Sequence, residues 1–309
     1  MLIQTQDLHK TYGAVVAVDG LNLSVAKGEV FGFLGPNGAG KTTTVKMLLG
    51  LVHATSGSAR ILNCAPGDPQ VMGRIGFLPE HFRFHPWLTA AGFLDVHGRL
   101  YGLTTGQRRE RIPKLLERVG LADRANARLA EFSKGMLQRI GLAQALLSDP
   151  ELVFLDEPTS GLDPVGRYEV RDLIRELRNA GATVFLNSHF LSEVEVTCNR
   201  IAIVKHGRVV RTGRLADLTA QGAEVEIRAG GLTPDLISGL ARWGNVNNQA
   251  VAVERAPDEP TSLIMFVESE EALPAIARWL VDGGARLYSL APKRVSLEEL
   301  FMRTMSEEA

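Results

Sequence analysis

Residues 35–43 read GPNGAGKTT, and the spacing of Gly35, Gly40, Lys41 and Thr42 is that of a loop that cradles phosphates. Glycines at 35, 38 and 40 let the backbone curl so that successive N–H groups converge on phosphate oxygens. Pro36, Asn37, Ala39 and Thr43 complete the same stretch. Lys41 brings a point charge to the β- and γ-phosphates, and the Thr42 hydroxyl is placed to ligate Mg²⁺. Further along, LVFLDEP (152–158) closes an apolar run with two carboxylates. Asp156 at the strand tip suits holding Mg²⁺ through its water shell, and Glu157 is free to polarise an attacking water as general base. The plainer alternative is that Asp-Glu-Pro simply terminates a strand.

Two further stretches carry chemistry. His189, in LNSHF, stands at the carboxyl end of an apolar strand, where ligands collect in open α/β sheets. A lone histidine is more often structural, so His189 by itself carries little. In EFSKGMLQRIGLAQ (131–144) a Ser–Lys–Gly turn opens directly into an apolar-periodic helix. That arrangement aims free N–H groups, a hydroxyl and the positive helix end at an anion, although the phosphate loop lies far upstream. His81 and His85 have helical ligand spacing, but Pro86 follows directly and no carboxylate completes a cluster, so no metal site is expected there.

The elements that must position these residues alternate strand and helix through the first half, the rhythm of an α/β fold. Residues 2–12 and 21–28 read as antiparallel strands, and VFGFL (30–34) is short and fully apolar, as in the buried centre of a sheet. A helix follows the Gly-rich loop, and residues 81–148 read as mainly helical. Strands then fall at 151–155, 182–187 and 200–204, and KHGRVVRTG (205–213) reads as a hairpin at the sheet's edge. From about residue 221 the pattern changes to strand AEVEIRA, a helix capped by Thr233 with Pro234 in its first turn, strands QAVAVERA and SLIMFVE, a helix capped by Ser269, and strand ARLYSLA. The order βαββαβ is that of a ferredoxin-like unit, and a last helix opens on the capping box Ser296–Glu299. The expected domains are therefore 1–220 and 221–309.

Composition narrows the partners. A net charge of −1 argues against wrapping nucleic acid, which needs a basic excess. Cys64 and Cys198 lie far apart, which gives neither a disulfide framework nor a zinc cluster. The first ten residues, MLIQTQDLHK, lack the pattern of a secretory signal. The longest stretch free of Asp, Glu, Lys and Arg, Met47 to Ala59, is shorter than the roughly 20 apolar residues of a membrane span. Work at a membrane would go through a partner.

Taken in order, GPNGAGKTT, FSKGMLQR, LVFLDEPTSGLD and LNSHF resemble the motifs of ATP-binding-cassette (ABC) ATPases, over about residues 1–220. The resemblance implies a P-loop nucleotide-binding domain with a RecA-like core, an antiparallel β subdomain and a helical subdomain, hydrolysing ATP with Mg²⁺. It assigns Tyr12 to stacking on adenine through its flat π-face. Glu80, in IGFLPE, takes the place of the family's usual Gln, which senses Mg²⁺ and contacts the membrane partner. The metal set is then Thr42, Glu80 and Asp156. Ser133 and Gly135 belong to the signature, Asp163 to the loop after the catalytic carboxylate, and His189 to the switch that touches the γ-phosphate. Catalysis falls to Glu157 and His189.

In this family the signature covers the γ-phosphate held by a second cassette. One cassette per chain therefore implies a head-to-tail homodimer around two ATPs. The signature here reads Phe-Ser-Lys-Gly-Met in place of Leu-Ser-Gly-Gly-Gln, and Glu80 replaces Gln. Both departures are similar to those of single-cassette ATPases of ABC-2 type that serve exporters of drugs, sodium or polysaccharide. The signature is also similar to that of the ATPase for copper-site maturation of nitrous oxide reductase. The resemblance thus implies ATP-driven export through a separate membrane permease, at the cytoplasmic face of the plasma membrane. The permease would dock near residues 80–101, whose Phe82, Phe84 and Trp87 are divided between docking groove and subdomain core. The rival function is a soluble ABC ATPase acting on a ribosome or DNA, which usually carries two cassettes per chain or a long coiled-coil insertion.

Overall fold

The computed structural model describes residues 1–81, 83–219, 223–247, 261–293 and 295–306. They divide into two units, one of Met1–Leu215 together with the chain from Thr304 on, the other of Ala216–Arg303.

The first unit holds two sheets. Strands β1 (Ile3–Tyr12), β2 (Val15–Val25) and β4 (Ser56–Ile61) form an antiparallel sheet in the order β2-β1-β4. The larger sheet runs β5-β6-β7-β3-β8-β9, with β3 (Val30–Leu34), β5 (Ile75–Leu78), β6 (Leu152–Asp156), β7 (Thr183–Asn187), β8 (Arg200–Lys205) and β9 (Arg208–Arg214). Its first five members are parallel and β9 is an antiparallel edge. All five residues of each of β3, β6 and β7 are buried, which explains their unbroken apolar runs: both faces of a parallel sheet are covered. Phe185 on β7 lies with its ring centroid 5.7 Å from Phe31, 5.3 Å from Phe33 and 5.2 Å from Phe154. One aromatic cluster thus locks β3, β6 and β7 together. Each such buried ring contributes about 1.5–3 kcal/mol through burial. The carboxyl ends of these three strands carry Gly35, Asp156 and Asn187–His189.

Helices α1 (Lys41–Leu48), α2 (Pro69–Met72), α3 (Ala90–Leu100), α4 (Thr105–Arg118), α5 (Lys134–Leu146), α6 (Pro164–Asn179), α7 (Leu191–Thr197) and α8 (Leu215–Thr219) complete this part of the chain. Thr104 and Gln107 form a full capping box at α4. Asp163 caps α6 by accepting from the Gly166 N–H at 2.7 Å, with Pro164 at the first position. The expected edge hairpin is present: His206 (φ 50°) and Gly207 (φ 78°) turn β8 into β9, the two left-handed residues that a tight hairpin turn demands. Two strands were not legible. β4 reads SGSARI, too polar to announce itself, because it is an edge of the smaller sheet; β5, IGFL, is only four residues long. Residues 81 and 83–89, preceding α3, are not helical.

In the second unit β10 (Ala223–Gly230), β11 (Gly244–Asn247), β12 (Thr261–Val267) and β13 (Arg286–Lys293) form an antiparallel sheet in the order β11-β12-β10-β13. With α9 (Pro234–Gly239) and α10 (Leu273–Asp282) this is the ferredoxin-like βαββαβ arrangement. Alternate residues Val225, Ile227, Ala229, Leu263, Met265 and Val267 face Leu236, Leu240, Ile276 and Leu280 in one core. Thr233 caps α9. Ser269 caps a short 3-10 turn, Glu270–Ala272, which leads into α10. The strand expected over QAVAVERA lies outside the described residues. The last helix, α11 (Leu297–Ser306), starts where Ser296 Oγ accepts from the Glu299 N–H.

Candidate functional site

A cleft of about 480 Å³ opens at the carboxyl ends of β3, β6 and β7. Asn37, Gly38, Gly40, Lys41, Thr42, Thr43, Glu80, Glu157, Asn187 and His189 line it, with Val15, Val16 and Ala17 of β2 on one side. Gly40 stands at φ 92°, immediately before α1, where any Cβ would collide with the Ala17 carbonyl oxygen. Only glycine lets the loop pass so close while turning into the helix. Ala39 is buried behind the loop. The first-turn amides of α1 have no intrahelical acceptor, and they face the cleft together with the positive end of the helix dipole.

Lys41 folds back over its own loop, its Nζ donating to the Gly35 carbonyl at 2.8 Å and the Pro36 carbonyl at 3.1 Å. Burial pulls its pKa below the usual lysine value, against the opposing pull of Glu157, Asp156 and Glu80. Asp156 ends β6 with its carboxylate buried, and its pKa is pushed up to about 6. Burial is the main cause; Glu80 and Glu157 add to it, while a hydrogen bond from Asn187 Nδ2 and the charge of Lys41 oppose it.

Glu157 follows in the left-handed region at φ 53°. Its side chain is 8% exposed, and its Oε1 accepts from the His189 N–H at 2.9 Å. The His189 ring, 57% exposed, places Nδ1 2.8 Å from Glu157 Oε2. That ring also lies 4.0 Å from Phe190, which Arg167 covers from 4.3 Å. The His189 backbone N–H thus holds the carboxylate at one end of the phosphate loop, with the imidazole beside it. This is the geometry of a general base with an orienting partner.

Three carboxylates around one lysine ask for further positive charge. Among the described residues no group of three or more His, Cys, Asp or Glu side chains forms a metal cage. The carboxylates of Glu80, Asp156 and Glu157 beside Lys41 fit a cation held by few protein atoms, as Mg²⁺ is when substrate phosphates and water supply most of its ligands.

Ser133, Gly135 and Asp163 are not in this cleft. They line a second cavity of about 390 Å³ with Gly120, Leu121, Lys134, Met136, Arg139, Gly161 and Leu162. Ser133 caps α5, its Oγ accepting from the Met136 N–H at 3.3 Å, which leaves the hydroxyl hydrogen free to donate elsewhere. The methylenes of Lys134 lie across Gly161, where a Cβ would strike them. Tyr12 lines neither cavity; its ring is 49% exposed and Lys10 Nζ stands 4.9 Å from the ring centroid.

Two contributors went unassigned in the sequence. Asn187 pairs with Asp156 in register across β6 and β7. Both are polar ends of apolar strands, a shared signal that could have found it. Gln138 on α5 donates to the carbonyls of Glu157 and Pro158, and nothing in the helical pattern marks it.

A mostly parallel sheet, a glycine loop at the carboxyl end of an interior strand and a carboxylate at the tip of a nearby strand define a P-loop nucleoside triphosphatase. The family model described as "ABC transporter" matches residues 18–160. An uncharacterized ABC transporter ATP-binding protein of Nostoc sp. is 40% identical over 99% of this chain and 90% of its own. The Nod factor export ATP-binding protein I of Cupriavidus metallidurans is 36% identical over 99% and 98%. An ATP-binding cassette solved as a dimer in a post-hydrolysis state with ADP and phosphate is 27% identical at a TM-score of 0.64, covering 69% of this chain and 98% of that one. The chain belongs to the ABC transporter family, as an ATP-binding subunit that hydrolyses ATP.

Proposed function

We propose that two copies of this chain clamp two ATPs head to tail and drive export through a separate membrane permease. The observation that carries the reading is that the phosphate-loop cleft and the signature cavity share no lining residue. That separation supports a reading in which Ser133 and Gly135 serve the nucleotide of a second copy. The dimeric cassette and the export protein among the relatives support the same reading. Nothing among them points to a ribosome or DNA.

In this scheme Lys41 and the amides of residues 35–43 bind the triphosphate, and Tyr12 with the β2 edge receives the adenine. Thr42, Asp156 and Glu80 would hold Mg²⁺, which neutralises charge on the β- and γ-phosphates when bound. Glu157 takes a proton from the attacking water, and His189 keeps its carboxylate oriented while facing the γ-phosphate. The partner's signature residues Ser133 and Gly135, with the Asp163 loop, close the site from the other side. Among the described residues no helix is long and apolar enough to cross a membrane. We assign the permease contact, at the cytoplasmic face of the membrane, to the segment around 80–101. There Trp87 is 68% exposed, with Val96 and Leu100 also outward. Phe84 instead packs on Phe93, 5.8 Å between centroids, and Phe82 lies outside the described residues.

Mixing variants tests the dimer. Lys41→Ala and Ser133→Arg homodimers are each expected to be inactive. A mixed dimer pairs one intact Lys41 with one intact Ser133 at one site, so mixing should restore ATPase activity. Mixed dimers that form, as followed by ATP-dependent association in the same sample, yet hydrolyse nothing at any ratio would count against the in-trans signature.

A further inference from the structure

The backbone of Glu157 sits where a side chain bearing a Cβ is uncomfortable. At φ 53° a non-glycine residue carries roughly 1–2 kcal/mol of strain, and it keeps that conformation only where its surroundings over-determine it. Four contacts do so. The Glu157 N–H donates to the Asn187 carbonyl at 2.9 Å, and its Oε1 accepts from the His189 N–H at 2.9 Å. Gln138 Nε2 then donates to the Glu157 carbonyl at 3.2 Å and to the Pro158 carbonyl at 3.0 Å. The first two contacts come from the strand end beside Glu157. The last two come from α5, the helix that begins at Ser133.

We infer that Gln138 is a positioning residue: it sets the Glu157 carboxylate from the chain's own signature helix, and so ties the ATP that a chain caps through Ser133 to the carboxylate with which it attacks its other ATP. This rests on the reading that Ser133 serves the partner's nucleotide. One rigid helix carries both ends of the link, because Gln138 stands five residues beyond the cap. When Ser133 and the first-turn amides take up a phosphate, any shift of α5 moves the two carbonyls that Gln138 holds. Glu157 moves with them. A displacement of about 1 Å at a reacting group can cost a hundredfold in rate, so a hydrogen-bonded link of this kind suffices to make one site sensitive to the other.

Gln138→Met keeps length and apolar bulk but has no donor. It is expected to lower kcat about ten- to a hundredfold, with KM and the affinity for a fluorescent ATP analogue within about twofold of wild type and unchanged thermal unfolding. Gln138→Lys returns an N–H donor at similar reach and should recover most of the lost rate. A Met variant that turns over normally, or a folded, nucleotide-binding Lys variant as slow as Met, overturns the assignment.

Placement then tests the direction of the link. In the mixed dimer of Ser133→Arg and Lys41→Ala chains, the working Glu157 belongs to the Ser133→Arg chain. Adding Gln138→Met to that chain should abolish the restored activity, whereas adding it to the Lys41→Ala chain should leave it within about twofold. Equal loss from both placements, or loss only from the second, would mean that Gln138 serves the signature and not its own Glu157. If the parent mixture itself is inactive although dimers form, the in-trans reading fails. The Gln138–Glu157 link is then judged by the homodimer kcat alone.

Discussion

Asp156 offers the cleanest test of the site's electrostatics, because its effect is visible without turnover. Its pKa rises from 3.8 to about 6 on folding, chiefly through burial. An acid with a raised folded pKa binds more protons folded than unfolded, so stability falls as pH climbs between those two values. Below about pH 4 the carboxyl is neutral in both states and costs nothing. Above about pH 6 the full penalty is present. A shift of about two units corresponds to roughly 3 kcal/mol.

Asp156→Asn is always neutral and still offers Asn187 an acceptor. Nucleotide-free Asp156→Asn protein should therefore be more stable than wild type at pH 8 by up to about 3 kcal/mol, or about 6–12 °C in Tm for a unit of this size. Thermal unfolding monitored by circular dichroism, with EDTA present, at pH 4, 5, 6, 7 and 8 reads it directly. The gap between the two proteins should close as pH falls. Adding Mg·ATP should reverse the order, since the wild-type carboxylate gains its cation and the amide does not. An Asn variant less stable than wild type at pH 8 without nucleotide, or a gap independent of pH, would refute a buried, cation-seeking Asp156.

Lys41→Ala should abolish hydrolysis and weaken nucleotide binding, since the triphosphate loses its main fixed cation; near-normal turnover of the purified variant would refute this assignment of the loop. Glu157→Gln should keep binding and lose about a hundredfold or more in rate. The trapped protein should elute as a dimer with Mg·ATP in gel filtration, and retention of more than about a tenth of the wild-type rate would remove the general-base role. Truncation after residue 219 should leave a soluble protein that binds and hydrolyses ATP, because both sheets of the first unit are complete by then. Insoluble product, or loss of nucleotide binding in folded protein, would show that residues beyond 219, the first unit's own segment from Thr304 on included, are needed for it.

The legible parts of this molecule are those in which local chemistry and global fold make the same demand. VFGFL reads as a buried strand because parallel strands are covered on both faces, and the structure buries all five of its residues. The hairpin at His206–Gly207 and the caps Thr233 and Ser296 were equally readable, since each is fixed by a few consecutive residues. β4 was not readable. SGSARI has little apolar content, and its strand conformation comes from pairing with β1, to which Ile3–Gln6 contribute and the local sequence does not. The same reasoning separates the site's residues. Lys41, Asp156, Glu157 and Ser133 sit in short motifs whose spacing encodes their job. Asn187 and Gln138 act only through partners 31 and about 20 residues away along the chain, and no window of sequence joins them.

That division bears on how the two anion sites relate. Each motif is local: a glycine loop before α1, and a serine cap before α5. Either can be recognised without the other, so the sequence alone yields two sites and no geometry between them. The fold adds two facts that local reading cannot reach. The cavities share no residue, which supports the proposed role of the signature toward another molecule's nucleotide. Yet α5 is fastened through Gln138 to the peptide of Glu157, which brings the signature back to its own chain's chemistry. In the proposed scheme the α5 cap Ser133 faces a partner while Gln138, five residues further on, holds the peptide of its own Glu157, and the helix joins the two sites. The glutamine that joins them belongs to no nucleotide-binding loop, because its work is to hold a strained backbone and not to touch the substrate.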